Sequence, residues 1–136
     1  MASLLQQACM QLCDPCPAIA RDAAQQLNRL IALTAPLDLA RSFDFAFAPI
    51  FSRLGEKTQS LPLRENLLAA LATLLERADS AAVRPERAKT VFPMAMERLL
   101  AWLEAVPAGA EEAVAAALRC AEAALQNWYN LSDRSA

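Results

Sequence analysis

Glycine is almost absent from this chain. Only Gly55 and Gly109 occur in 136 residues. The stretches around them are rich in Ala, Leu, Glu, Gln and Arg, whose side chains lose little rotamer freedom in a helix. The β-branched residues are too few and too scattered to build strands. The sequence therefore predicts an all-α protein, and its 56% apolar content is ample for one core.

Apolar spacing and helix breakers predict six helices. Their expected ranges are 2–13, 17–33, 37–54, 61–78, 85–106 and 110–129, and residues 130–136 form a polar tail. Pro17 and Pro62 fit the first turns of their helices, Ser60 is a plausible N-cap, and Gly55 fits a left-handed residue after a helix. The interior prolines, Pro49 and Pro93, predict kinks.

Each predicted helix carries an apolar stripe. The most regular stripe belongs to the fourth helix and consists of Leu63, Leu67, Leu68, Leu71, Leu74 and Leu75. In the fifth helix the stripe is Phe92, Met96, Leu99, Leu100 and Leu103. In the sixth it is Val114, Leu118, Ala121, Leu125 and Trp128. We expect these residues to form the core.

The six helices group into three antiparallel hairpins. The second helix of each hairpin starts near residue 17, 61 or 110, about 44 to 49 residues apart, which is close to the HEAT and armadillo repeat lengths. An ordinary six-helix bundle would give a similar pattern. The surplus of apolar residues favours an α-solenoid of the HEAT, armadillo or TPR-like kind, spanning residues 1–129.

The sequence offers little catalytic chemistry. It contains no histidine and no phosphate-binding glycine loop, so the commonest general base and nucleophile pairs are missing. The acidic pair Glu111 and Glu112 suits the positive N-terminal end of a helix. We therefore expect a protein that is not an enzyme and that needs no cofactor or metal.

One cysteine motif argues for a different function. Cys9, Cys13 and Cys16 have the C-x-x-x-C-x-x-C spacing of an iron–sulfur site, with Cys120 as a conceivable fourth ligand. Such a motif belongs on a loop after a strand, whereas Cys9 and Cys13 fall on the apolar stripe of the first helix. There cysteine behaves as a small hydrophobic residue. A metal or redox protein is the weakest of the interpretations.

Charge and hydropathy limit the partners. A net charge of −2 provides no long-range attraction for nucleic acid, and no apolar run reaches the ~18 residues of a membrane span. The N-terminus lacks the basic residue of a signal peptide. We expect protein partners and a cytoplasmic location, with the nucleus as a second location.

Three aromatic residues are candidate interface anchors: Trp102, Trp128 and Tyr129. Trp102 lies off the main stripe of its helix and is the better candidate, while Trp128 suits the core equally well. The alanine-rich sixth helix permits close approach by another helix. We therefore expect its surface to be adhesive in isolation.

A family resemblance extends over most of the chain. Residues 44–54 form an aromatic-rich segment with a Pro49 step, and residues 63–68 follow with the basic–acidic pair Arg64 and Glu65. These segments resemble the N-terminal region of the Tel-two-interacting protein one family. Residues 8–12 and 111–125 are similar to the first and sixth helices of that region.

This resemblance implies a specific role. Members of the family are the long HEAT-repeat subunit of the TTT co-chaperone complex. With the Hsp-ninety system, that complex supports the maturation and stability of PI3K-related kinases. The implied partners are Tel-two-like and other TTT subunits and these kinases, and the chain would be the N-terminal part of a longer solenoid. A generic armadillo-like adaptor with unrelated partners is the alternative.

Overall fold

The protein is all-helical over the residues that the structure, a computed structural model, describes: 2–56, 61–104 and 106–129. Seven α-helices and one short 3-10 helix lie in these ranges, and no strand does. The helices are α1 (Ala2–Leu12), α2 (Pro17–Leu33), α3 (Pro36–Arg41), α4 (Phe43–Leu54), α5 (Leu61–Arg77), α6 (Pro85–Leu103) and α7 (Glu111–Asn127), with the 3-10 helix at Ser80–Ala82. The prediction of an all-α protein is confirmed.

Helix α5 is the centre of the molecule. It packs most extensively against α2 and α7 and also contacts α4. Helix α1 packs against α2 and α4, and α6 packs against α7. All six leucines of the stripe predicted for this helix, from Leu63 to Leu75, are buried. Because α5 has neighbours on several sides, nearly its whole surface is apolar or inward-facing, and its burial contributes strongly to the core.

Proline and glycine set several of the helix boundaries. Helices α2, α3 and α6 begin with Pro17, Pro36 and Pro85, where the missing N–H has no intrahelical role. Gly109 has a φ of 81°, which a side chain would disfavour, and it reverses the chain between α6 and α7. The acidic residues Glu111 and Glu112 lie in the first turn of α7, as expected.

The third predicted helix is wrong in one respect, because it is two helices. The chain turns at Ser42, whose φ of −106° and ψ of 17° are not helical, and α3 ends there before α4 begins. Serine is a weak helix former that supports such a break. The α4 helix continues through Pro49, and α6 continues through Pro93. Helix α6 ends at Leu103, three residues before the predicted end.

Gly55 does not adopt the left-handed conformation that the sequence suggested. Its φ of −75° and ψ of −14° are right-handed helical values. Glycine fits this position because it has no side chain: a Cβ here would overlap the guanidinium of Arg98. Gly55 therefore makes room for a side chain that crosses from α6 to α4.

The inward faces of α6 and α7 also differ from the prediction. Only Leu99 of the predicted α6 stripe and only Trp128 of the predicted α7 stripe are buried. The inward positions are instead occupied by small residues: Ala88, Val91 and Ala95 in α6 and Ala113, Ala117, Cys120, Ala123 and Ala124 in α7. Small side chains allow these helices to approach their neighbours closely. Leu100, Leu118 and Leu125 are turned outward, whereas Phe92, Met96 and Leu103 are partly buried against the core.

Two predictions lie outside the described residues. They are the polar tail at 130–136 and the N-cap at Ser60.

Candidate protein-interaction surfaces

Trp128 is part of the core. Its side chain is fully buried, and its ring lies 4.9 Å from that of Phe43, centroid to centroid. The indole Nε1 donates a hydrogen bond to the carbonyl oxygen of Leu75 over 3.0 Å. Burial of such a ring with its N–H satisfied is typical of a structural tryptophan. Trp128 therefore presents no exposed surface to a partner.

Trp102 and Tyr129 are both half-buried. The guanidinium carbon of Arg64 lies over the Trp102 ring, 5.4 Å from its centroid. The Tyr129 ring meets the Phe92 ring edge-to-face at 5.0 Å. The exposed parts of both rings remain candidate contact points, and each ring is held in place by a neighbour on α5 or α6.

Arg64 joins the Trp102 ring to the end of α4. It is a buried cation in α5, and burial lowers the pKa of its guanidinium. It donates hydrogen bonds to the carbonyl oxygens of Leu54, at 3.5 Å, and Glu56, at 3.2 Å. Leu54 is the last residue of α4 and Glu56 lies just beyond it, where the carbonyl groups lack intrahelical donors. Arg64 therefore satisfies the end of α4 while its face supports Trp102.

A polar ladder crosses α2, α5 and α7. The Thr73 hydroxyl donates a hydrogen bond to Oδ1 of Asn28 over 2.5 Å and accepts one from Nη2 of Arg119 over 3.1 Å. Nε and Nη2 of Arg119 also donate hydrogen bonds of 2.9 and 2.7 Å to the carboxylate of Glu76. Hydrogen bonding to this carboxylate raises the pKa of the Arg119 guanidinium. Periodicity does not reveal this ladder, because its residues come from three separate helices. It marks one polar face shared by α2, α5 and α7.

Side chains from one helix repeatedly cap the carboxyl end of another. Arg77 of α5 donates to the carbonyl oxygens of Ile31, at 3.2 Å, and Thr34, at 2.8 Å, at the end of α2. Arg98 of α6 donates to the Phe51 carbonyl at the end of α4 over 3.1 Å. Each pairing places a cation at the negative end of a helix dipole. These contacts fix the position of each helix relative to an earlier one.

An outward apolar seam runs along α7. Leu118 is 57% exposed and Leu125 is 51% exposed, while Val114 and Ala121 are partly exposed. On α6, Leu100 is 54% exposed. An apolar row on a surface helix marks a contact site more often than scattered single residues do. The apolar spacing was visible in the sequence, but its outward direction was not.

The four cysteines do not lie in one environment. Cys9 and Cys120 are buried, and Cys13 and Cys16 are exposed. Burial raises the pKa of the Cys9 thiol to about 11, with a smaller contribution from Cys13, and burial raises that of Cys120 to about 12. In the ranges that the structure describes, no group of three or more His, Cys, Asp or Glu residues is arranged to hold a metal ion.

Comparisons with protein-family models, curated proteins and solved structures find no match to this chain. In the described part of the chain, none of the helices combines the length and apolar character needed to cross a membrane.

Proposed function

We propose that this chain is a non-enzymatic scaffold that binds other proteins through a short α-solenoid of three helical hairpins. The hairpins are α1 with α2, α4 with α5, and α6 with α7. One observation carries the proposal: the second helices of the hairpins, α2, α5 and α7, stack in chain order, and side-chain contacts between successive hairpins join residues 43 to 53 positions apart. Some of these separations fall in the range of HEAT and armadillo repeats, which are about 40 to 47 residues long, and those near the end of α7 are longer.

Four of these contacts lie 45 to 47 residues apart. Thr73 to Asn28 spans 45 residues, and Arg119 to Thr73 spans 46. Arg77 to Ile31 spans 46 residues, and Arg98 to Phe51 spans 47. Equivalent positions of successive repeats meet in this way when each repeat stacks on its neighbour. Between α5 and α7 the separation ranges from 43 residues for Glu76 and Arg119 to 53 for Leu75 and Trp128, so the repeat is approximate.

The order of helix contacts supports the same proposal. The second helices of the hairpins, α2, α5 and α7, pack in sequence, and the first helices α1 and α4 pack together. The first helices α4 and α6 are joined by an ion pair of 2.8 Å between Asp44 and Arg87. Stacked repeats bury a continuous core and expose an extended face, which such proteins use to bind partners.

The more specific proposal concerns the partners. The resemblance of residues 44–54 and 63–68 to the Tel-two-interacting protein one family supports a role in a TTT-type co-chaperone complex. In that role the chain contributes to the stability of PI3K-related kinases, in the cytoplasm and the nucleus. If the resemblance reflects only general helical-repeat patterning, the chain is an armadillo-like adaptor with other partners.

Quantitative affinity purification of the tagged full chain from its own cells tests both the general scaffold function and the specific role in a TTT-type complex. A matched chain carrying Leu71→Asp, which we expect to be unfolded, is the control for nonspecific capture. Enrichment of a Tel-two-like protein and a PI3K-related kinase over that control is the expected result. Other partners, reproducibly enriched, would replace the TTT role with the adaptor role. Absence of any enriched protein would contradict the scaffold function.

A further inference from the structure

The outward seam of α7 has a regular geometry. Val114, Leu118, Ala121 and Leu125 follow one another at intervals of four, three and four residues. This is the spacing of the a and d positions in a coiled coil, where the apolar row faces a second helix. The structure leaves both leucines of this row more than half exposed. The seam is therefore shaped for one further helix.

Small residues make close approach possible. Ala121 lies within the seam, and Ala115 is exposed beside it. A helix that packs over alanine can bring its axis nearer and gain more contact per residue. Leu118 and Leu125, on either side of Ala121, then act as the two large side chains that enter the gaps of a partner helix.

The charges around the seam specify the partner. Glu111 lies seven residues before Leu118, in line with the seam at its N-terminal end, and Glu122 lies four residues after Leu118, beside the seam. Both carboxylates are exposed. The one basic residue of α7, Arg119, is turned to Glu76 on α5 at 2.7 Å. The border of the seam is therefore acidic.

A second copy of the chain is a poor occupant. A parallel pair of α7 helices would place Glu111 and Glu122 close to the same residues of the other copy, where like charges are destabilising. An antiparallel pair would leave both carboxylates without a basic partner, because the one basic residue of α7, Arg119, is engaged by Glu76. A helix with basic residues beside its apolar row meets the same border with opposite charge.

We propose that the α7 seam binds an amphipathic helix whose apolar row is flanked by lysine or arginine. This inference rests on the proposed function, because it assigns a partner chemistry to one face of the scaffold. The partner's leucines pack against Leu118 and Leu125, and its basic residues pair with Glu111 and Glu122.

Two synthetic helical peptides test the chemistry directly. Both carry leucine and alanine at the a and d positions of 18-residue helices; one has lysine at the flanking e and g positions, and its twin has glutamate. Fluorescence anisotropy with the full chain measures both affinities. We expect the lysine peptide to bind at least about tenfold more tightly than its twin. Equal binding, or no binding of either, would overturn the proposal.

Matched variants locate the binding site. The double variant Leu118→Asp/Leu125→Asp should weaken binding of the lysine peptide at least about tenfold, since it removes both large apolar contacts. Met10→Asp/Leu33→Asp adds the same charge at exposed residues of α1 and α2, so it should preserve binding. If both variants behave alike, binding reflects net charge alone and the assignment to α7 is wrong.

A charge exchange gives the sharpest result. Glu111→Lys/Glu122→Lys should reverse the preference, so that the glutamate peptide becomes the better ligand. Far-ultraviolet circular dichroism of each variant confirms that it is folded. A variant that is folded but keeps the original preference would contradict the role of the two glutamates.

Two outcomes separate this inference from the scaffold function. If sedimentation equilibrium detects a dimer that Leu118→Asp abolishes, the seam's occupant is a second copy and the basic-helix proposal is wrong. If cellular partners are enriched and survive Leu118→Asp/Leu125→Asp, the scaffold function stands and the α7 seam is not its binding site.

Discussion

The indole Nε1 of Trp128 and the carbonyl oxygen of Leu75 lie 3.0 Å apart and join the end of α7 to the last turn of α5. The Leu75 carbonyl would normally accept from the N–H of Asp79, but that N–H donates to the Pro36 carbonyl instead. Nδ2 of Asn127 is a second donor to Leu75, at 3.1 Å. Helix α7 therefore supplies the capping that α5 lacks within its own chain segment.

This relationship predicts the cost of Trp128→Phe. The variant keeps an aromatic ring but loses the hydrogen bond and some packing volume. We expect a loss of about 1–2 kcal/mol in the free energy of unfolding, because Asn127 still satisfies the carbonyl. Urea denaturation measures it.

The double variant Trp128→Phe/Asn127→Ala provides the check. It leaves the buried Leu75 carbonyl without a side-chain donor. The loss of unfolding free energy in the double variant should therefore exceed the sum of the losses in Trp128→Phe and Asn127→Ala by about 1 kcal/mol. Strict additivity would mean that water or another group replaces these donors.

The position of Leu71 predicts a much larger effect. Leu71 is 1% exposed in the middle of α5, and Leu71→Asp would bury a carboxylate without a partner. The cost of several kcal/mol is comparable to the whole stability of a small domain, so we expect the variant to be unfolded. Loss of the helical circular dichroism signal and of a cooperative thermal transition would establish it.

Leu118→Asp is the matched control for Leu71→Asp. It makes the same substitution in the middle of α7, at a residue that is 57% exposed. We expect a free energy of unfolding within about 0.5 kcal/mol of the parent. A folded Leu71→Asp chain or an unfolded Leu118→Asp chain would contradict the helix orientations described above.

These two leucines also mark what the sequence could and could not predict. The α5 stripe was predictable because α5 is surrounded, so every large apolar residue of its stripe is buried. In α7 the large apolar residues with the same kind of spacing face outward, because alanines fill the narrow space against α5 and α6. A single sequence records the period of apolar residues but not which side meets a neighbour.

The candidate interface residues were likewise only partly predictable from the sequence. Trp102, Trp128 and Tyr129 could be chosen by residue type, but only three-dimensional packing distinguishes the buried Trp128 from the half-buried other two. The ladder of Asn28, Thr73 and Arg119 depends on three helices brought together by folding. The break at Ser42 escaped prediction because no proline or glycine interrupts the apolar pattern there.

The effect of Gly55→Ala on the free energy of unfolding should depend on whether Arg98 is present. The right-handed φ of Gly55 suits alanine, which should stabilise the chain by about 0.4–1 kcal/mol through the unfolded state. However, the new Cβ would displace Arg98 from its hydrogen bond to Phe51 and from the Phe51 ring, whose centroid is 4.1 Å away. Those losses total about 1.5–2 kcal/mol, so we expect Gly55→Ala to lower the free energy of unfolding by about 1 kcal/mol.

The same substitution in an Arg98→Ala background isolates the cause. With the guanidinium removed, Gly55→Ala should become stabilising by about 0.5 kcal/mol. Chemical denaturation of all four chains gives both values. Destabilisation in both backgrounds would show that the Arg98 contact is not the reason for glycine at this position.

The cysteines predict two classes of thiol reactivity. Only the thiolate attacks an aromatic disulfide reagent at an appreciable rate. Cys9 and Cys120 are buried, with pKa values of about 11 and 12, so they should remain unreacted in the folded chain at pH 8. Cys13 and Cys16 are exposed and should react. We expect two thiols to be titrated in the native state and all four in denaturant, and four rapidly reacting native thiols would contradict the burial of Cys9 and Cys120.

The raised thiol pKa values also predict how stability depends on pH. Above pH 9, the ordinary pKa of a cysteine thiol, Cys9 and Cys120 ionise in the unfolded chain but stay protonated in the folded one. The folded state then binds more protons, so the free energy of unfolding should fall as pH rises from 9 towards 11. Each thiol lowers the free energy of unfolding by at most about 1.4 kcal/mol per pH unit over that window. Thermal melts of the parent and of Cys9→Ala/Cys120→Ala measure the difference, and the variant should lose less stability over the window. Parallel slopes for the two chains would assign the alkaline loss to other groups.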